Sequence, residues 1–589
     1  LGLIAAACSK KDDGGTTGTT AAPGTTAAPG STVPGTTAAP GTTAPATTVP
    51  VEKPVPGGEL VVSGEAEVAN PWTPAAMQCD SYCSERARSF YDPVAAVGDD
   101  MKVHGVLAET ITPNADFSEW TIKVRSGIKF TDGTDVNADA LLRNLNETGS
   151  GLLVSKALVD LAREKTPVDG QPLSVFKSTK ADDMTFTLYT GKNGDASKPL
   201  SWPGFDFYLT GQWGLVASPT WLDAVKADPT KASQPVGSGP FIVKSYAPRD
   251  ALVVTKNPNY WQKDADGVQL PYLDKVTFKV IEDSQTTAQA LQDGNIDIFS
   301  TSSAQVIADM RDQKDKYPMS EQTDYTETNY ILIDLAKADS PIADQRVRCA
   351  LSKAVDRQEE IDLTAGGILK PANGLFSPGQ EGYLADNGFS TDQDIEGAKA
   401  LIAEYQKDHP GPVSVTYGHT ADRIGDQVAD LLKGYWKAIG VDTKIDVVPQ
   451  DQFITLALLG DKSFFMYGWR NHAGLKIDQQ NFWWNSASGV KDGGLSLNFG
   501  RVNDPDVDAQ LSIARSDPDP AKRQAAAEQV NRIFAEKCYQ IPSSWTLWGT
   551  PHKDSVQGLG SWVLPDGAKA RDGAGFSGQF WVTSVWVKK

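Results

Sequence analysis

The segment from Gly14 to Pro56 limits most what this chain can build, because its composition narrows to little besides Thr, Ala, Pro and Gly. The hexapeptide TTAAPG starts at Thr19, at Thr25 and again at Thr36. With almost no large apolar side chains, nothing here offsets the entropy lost on ordering, so the sequence predicts a solvated stretch, part polyproline and part coil. At about 3.1 Å per residue when extended, it would hold the rest of the chain tens of ångströms from the amino terminus. The first segment patterned to fold is GGELVVSGEAEV from Gly57, which alternates as a strand does. Residues 9–56 are therefore expected to be a stalk, with the working part beginning near Gly57.

Ahead of the stalk stands LGLIAAACSKKDDGG, apolar and small up to Cys8 and abruptly polar after it. Apolar residues followed by small ones mark the end of a secretory signal. A cysteine just past them resembles a bacterial lipobox, in which the thiol takes a diacylglycerol and becomes the mature first residue. Residues 1–8 are thus expected to be a signal remnant, with Cys8 the lipidated residue. Each buried acyl methylene contributes about 0.8 kcal/mol, so two or three chains make a stable anchor. The competing reading, a buried cysteine in an ordinary helix, would leave that helix with no second face or continuation.

A chain of 589 residues exceeds a single core and predicts two to four domains. No apolar run reaches the ~18 residues a membrane span needs, so attachment would run through Cys8 alone. A net charge of -19 argues against nucleic acid, whose phosphates require a basic face. Besides Cys8 there are Cys79, Cys83, Cys349 and Cys538, an even number compatible with two disulfides in an exported chain. Of the three pairings, Cys79 with Cys83 and Cys349 with Cys538 is favoured because the first two are close in sequence. Neither the spacing nor a neighbouring His makes a zinc pattern, and no metal or cofactor is expected.

Local patterning mixes the two kinds of element. VSVTY from Val413 reads as a strand and DTKIDVV from Asp442 as another. Between them Val428, Leu431, Leu432, Tyr435, Trp436 and Ile439 share one helical face, stopped by Gly440. Strand, helix and strand in succession imply an α/β lobe. Catalytic signatures are missing: there is no HExxH, GxxxxGK[ST], CxxC or GxSxG, and His104, His409, His419, His472 and His552 form no pair at ligand spacing. The chain is read as a non-enzyme; a carboxylate pair for glycoside hydrolysis, defined only by spatial separation, is the remote alternative. What it has is Trp on short loops, as in NPWTPAA with Trp72, GQWGL with Trp213, YGWRNHAG with Trp469, NFWWN with Trp483 and Trp484, and SSWTLWG with Trp545 and Trp548. Such rings suit a ligand cleft, or they seal the edges of cores.

The stretch GVLAETITPNADFSEWTIKVRSGIKFTDGTDVNADALLRNL, Gly105 to Leu145, closely resembles a hallmark of the extracellular solute-binding proteins of family 5, the dipeptide, oligopeptide and nickel receptors of ABC importers. In its own terms it reads as two alternating strands, an Asp132-Gly133 turn and a helix entered through Asn137. Further landmarks succeed it in family order: PVGSGPFIVKSYAPRDALVVTKNPNYW from Pro235, PYLDKVTFKVIEDSQTTAQALQDGNIDIF from Pro271, ADQRVRCALSKAVDRQEEI from Ala343, DIEGAKALIAEY from Asp394, and VNDPDVDAQLSIARSDPDPAKRQAAAEQVNRIF from Val502.

The resemblance implies an α/β, two-lobed periplasmic-binding-protein-like fold of class II that closes over its solute about a hinge. The first lobe would take 57–325 plus 549–589, with an extra subdomain at about 97–215, and the second 326–548; crossovers would fall at TDYTETNY and SSWTLWGT. It also implies a monomer on the extracellular face of the cell membrane, tethered through Cys8 and served by separate ABC permease and ATPase subunits. In the family's peptide receptors a Gly-Trp pair is followed, three positions after the Trp, by an aspartate that salt-bridges the peptide amino terminus. Here Gly468 and Trp469 are followed by Arg470, Asn471 and His472, so a histidine replaces the acid. A buried ammonium without its carboxylate costs several kcal/mol, which points to an anionic or neutral polar solute unless Asp422 or Asp451 substitutes. By position in the family, Trp72, Asn329, Tyr330, Tyr417, His419, Arg423, Gln452 and Trp545 would also face the cleft. The expected solute is a peptide or peptide-like molecule; an oligosaccharide, opine or metal chelate is the alternative.

Overall fold

The computed structural model describes residues 53–589 apart from 65–66, 68–71, 78–80, 151–156, 169–170, 421–422, 449, 461–465, 471–475, 490–493, 495 and 574–576. The expected signal remnant and Cys8, nearly all of the stalk, and Cys79, Asn471 and His472 lie outside the described residues.

Two sheets of different make-up organise the molecule. The first has five strands in the order Phe241–Ala247, Ala251–Lys256, Lys275–Val280, Glu59–Gly64 and Ile298–Phe299. Glu59–Gly64 runs parallel to both of its neighbours, while the other two pairings are antiparallel. Alternation in the sequence becomes alternation in burial: Leu60, Val62, Leu252 and Val254 are all fully buried in one core. The second sheet has six strands, in the order Lys370–Pro371, Gln540–Trp545, Thr328–Ile333, Met466–Arg470, Val413–Thr420 and Val441–Val448.

The strand, helix and strand predicted around Trp436 form a βαβ unit. Val413–Thr420 pairs in parallel with Val441–Val448, and helix Arg423–Ala438 connects them. Ala429, Leu432 and Trp436 pack under the sheet, and Gly440, with φ of 81°, ends the helical run in a conformation that favours glycine. A third sheet, antiparallel throughout, has the order Ala108–Pro113, Glu119–Val124, Thr185–Tyr189 and Ser178–Asp182. It shares a core with helix Ala138–Thr148, whose N-cap Asn137 accepts from Ala140 N at 2.9 Å as the sequence predicts.

Cys349, on helix Gln345–Ala354, is disulfide-bonded to Cys538 at the end of helix Pro520–Lys537, across 189 positions of sequence. Cys83 is also disulfide-bonded. After Pro551 the chain returns to the first core, where Val556, Val582 and Val585 are buried. Among the described residues no helix is long and apolar enough to cross a membrane.

Candidate ligand-binding site

The chain crosses between the two large sheets twice, and the crossings are tied together. Strands Met319–Gln322 and Trp548–Pro551 pair antiparallel, with Gln322 opposite Trp548. Beyond them Thr546 N donates to Glu327 O at 2.9 Å, and Trp548 Nε1 donates to the Glu327 carboxylate at 2.8 Å. Five of the residues expected at a cleft gather at this crossing. Asn329 lies opposite Arg470 and Tyr330 opposite Trp469 in one strand pair, and Trp545 lies opposite Thr328 in the next.

Their side chains are not equivalent. The Asn329 amide donates to Ser544 Oγ at 3.1 Å. Arg470, at the end of its strand, donates to Ser302 Oγ at 3.0 Å and lies 5.8 Å from the centre of the Trp548 ring. Ser302 follows the last strand of the first sheet, so Arg470 reaches from the second sheet to the end of the first. Trp469 meets Phe499 edge-on at 5.1 Å, and Trp545 meets Tyr383 at 5.9 Å. Among the described residues, Trp545 Nε1 is buried without a hydrogen-bond partner, as is Gln540 Oε1 on the same strand. Tyr330 is buried, which pushes its hydroxyl well above the usual phenol range.

A second junction, beside the four-stranded sheet, joins segments far apart in the chain, and it is not legible in the sequence. Asp478, buried, accepts from Trp202 Nε1 at 2.7 Å, from Tyr208 OH at 3.1 Å and from Arg515 Nε at 2.5 Å. Arg515 also donates to Asp160 at 2.7 Å and to Ala157 O at 3.2 Å, and its guanidinium lies 4.5 Å from the centre of the Trp202 ring. The two flanking carboxylates hold that guanidinium firmly charged, against the desolvation that opposes it. Nearby Asp206 is pushed up to about 6 by burial, with Lys476 and Arg523 pulling the other way.

The remaining predicted residues stand elsewhere. Trp72 is fully buried in the first core, edge-on to Phe90 at 5.3 Å and to Tyr246 at 5.2 Å. Tyr417 is a core residue of the second lobe, 6.1 Å from Trp436. His419 is buried, with Nδ1 2.7 Å from Thr420 O and Nε2 3.7 Å from Asp426. Arg423 is exposed and donates to Gln427 on its own helix, and Gln452 is exposed on helix Gln450–Leu459. The structure does not gather these five at the crossing. Conversely, the criterion that selected loop tryptophans also fits Trp202, in SWPGF, whereas Asp478 and Arg515 carry no local signal.

Comparison with known proteins places the architecture. The family model of bacterial extracellular solute-binding proteins, family 5 (middle), matches residues 102–493. The chain belongs to this family. It is 25% identical over 504 residues to the glutathione-binding protein GsiB of Shigella flexneri serotype 5b, covering 83% of this chain and 89% of that one. It superimposes on DppA from Helicobacter pylori, solved in complex with the peptide STSA, with a TM-score of 0.70 at 19% identity, covering 91% of this chain and 99% of the other. It also superimposes on AgaA from A. tumefacien R10, solved with agropinic acid, with a TM-score of 0.70 at 19% identity, covering 90% and 99%. These likenesses establish the two-lobed fold.

Cavities among the described residues differ in size, and one of about 350 Å³ lies between helices Ser284–Gln292 and Ala304–Arg311, lined by Gln285, Gln292, Asp309 and Gln313. A cavity of about 20 Å³ beside Tyr330, Trp469 and Gln540 has room for one water and no solute. Another of about 230 Å³, beside the paired crossing strands and lined by Gln322, Trp548, Arg571 and Asp572, stays below the roughly 300–1,000 Å³ typical of ligand pockets. Arg470, Asn329 and Trp545 stand on the strands of the second sheet that meet the crossing.

Proposed function

We propose that this chain captures peptides or peptide-like solutes outside the cell, between its two lobes, and delivers them to the permease and ATPase subunits of an ABC importer. Family membership carries this reading, and a glutathione-binding relative aligned over most of both chains supports the solute class. The lobe division belongs to the same reading: 57–325 with 549–589 against 326–548, and the extra subdomain at about 97–215. Solute contacts made from both lobes exist only when the lobes meet, so binding shifts the population toward the closed form, which the permease reads. Cys8 as a lipid anchor and residues 9–56 as a stalk complete it, holding the receptor beside its importer. A second reading, a non-peptide solute such as an opine, has a specific support in the structural likeness to AgaA.

The test is native mass spectrometry of the full chain, followed by denaturation and identification of the molecules released. A ladder of short peptides is the expected result. A single non-peptide mass would replace the peptide reading with the second one.

A further inference from the structure

We infer that Arg470 is the specificity-determining residue of the solute site and receives a carboxylate of the bound solute; this rests on the reading of the chain as a receptor for peptide-like molecules. A guanidinium has five N–H donors in a rigid fork. Among the described residues Arg470 spends them on one neutral hydroxyl, Ser302 Oγ, and lies over the Trp548 ring. It makes no ion pair with a described carboxylate, and Glu327, on the adjoining crossover, accepts from Trp548 instead. Arg515, at the other junction, shows what a satisfied guanidinium looks like here, with Asp478 on one side and Asp160 on the other.

Location turns this deficit into a preference. Arg470 is the last residue of its strand, opposite Asn329, and it touches the first lobe through Ser302. Bringing the lobes together removes water from the group, and a desolvated cation without an anion is costly. A solute carboxylate lying between the lobes supplies the missing charge through two parallel N–H···O bonds, while the buried Trp548 face supports the cation from the other side. With a net charge of -19 the protein's own field repels anions, so an anionic solute needs a local cation at its seat.

The test uses the full chain, freed of endogenous solute, and two pools of random tripeptides. One pool has every carboxylate free; the other is its all-amide counterpart, with amidated C termini and Asn and Gln in place of Asp and Glu. Titration calorimetry of the native protein should show the acid pool binding at least tenfold tighter than the amide pool. Arg470→Gln should abolish that difference, Arg470→Lys should restore part of it, and Ser302→Ala should keep it. Equal binding of the two pools by the native protein, or a preference that survives in Arg470→Gln, would overturn the inference and leave the peptide reading standing. Binding of neither pool would overturn the peptide reading, and this inference with it. Circular dichroism melting of each variant shows that a lost preference does not come from a lost fold.

Discussion

The two places where the lobes meet are built on opposite terms. At the junction beside the four-stranded sheet, Asp478, Arg515 and Asp160 neutralise one another, and Trp202 and Tyr208 fill the remaining acceptor positions. At the crossing, Arg470 faces a single serine hydroxyl, and Trp545 Nε1 has no partner among the described residues. The first junction is complete within the protein and gains nothing from a guest. The second leaves the Arg470 guanidinium with no carboxylate among the described residues, which is the condition under which an anionic guest improves the contact. On the proposed reading, holding the lobes and recognising a solute fall to different side chains, so each is open to separate change.

That contrast gives a graded set of expectations. Arg515→Ala should have the largest effect on stability, about 3–5 kcal/mol by denaturant unfolding, because it leaves the buried Asp478 and the half-buried Asp160 without their cation. A loss under about 1 kcal/mol would mean the junction does not bear on stability. Trp202→Phe removes one charge-assisted hydrogen bond and should cost about 1.5–3 kcal/mol, read from the same unfolding midpoints. Asp206, two residues before Tyr208, adds a pH dependence to stability. Its carboxyl ionises near 3.8 when free and at about 6 in the folded protein, so its contribution to stability is full below 3.8 and is lost as the pH rises through 6. Thermal melts from pH 3.5 to 7 should show a shallower decline in Asp206→Asn; an unchanged slope would remove Asp206 from the account. The smallest effect belongs to the crossing: Arg470→Gln should alter stability by less than about 0.5 kcal/mol, since the side chain contributes one exchangeable hydrogen bond. A larger loss would make Arg470 part of the frame, and the contrast between the junctions would collapse.

How much the sequence disclosed depended on the range of the interactions involved. The unit from Val413 to Val448 was legible because its periods of two and 3.6 are written in neighbouring residues, and the Asn137 cap because its partner lies three positions away. The architecture came through ordered family motifs. Trp72 looked like a cleft residue from its Asn-Pro context, but the aromatic cage that buries it, Phe90 and Tyr246, is supplied from distant segments. Asp478 was invisible for the same reason: Trp202, one of its donors, is 276 positions away, and an isolated acid has no pattern to betray its role. Local order is written locally, whereas the contacts that join lobes exist only after folding.

The bond between Cys349 and Cys538 encloses most of the second sheet in a covalent ring. A protease outside the cell that severed any loop within that ring would add a pair of ends without releasing a fragment. The nicked molecule would remain one object until a reductant opened it. For a receptor exposed to whatever its surroundings secrete, damage inside the ring need not mean loss of the piece that carries Arg470.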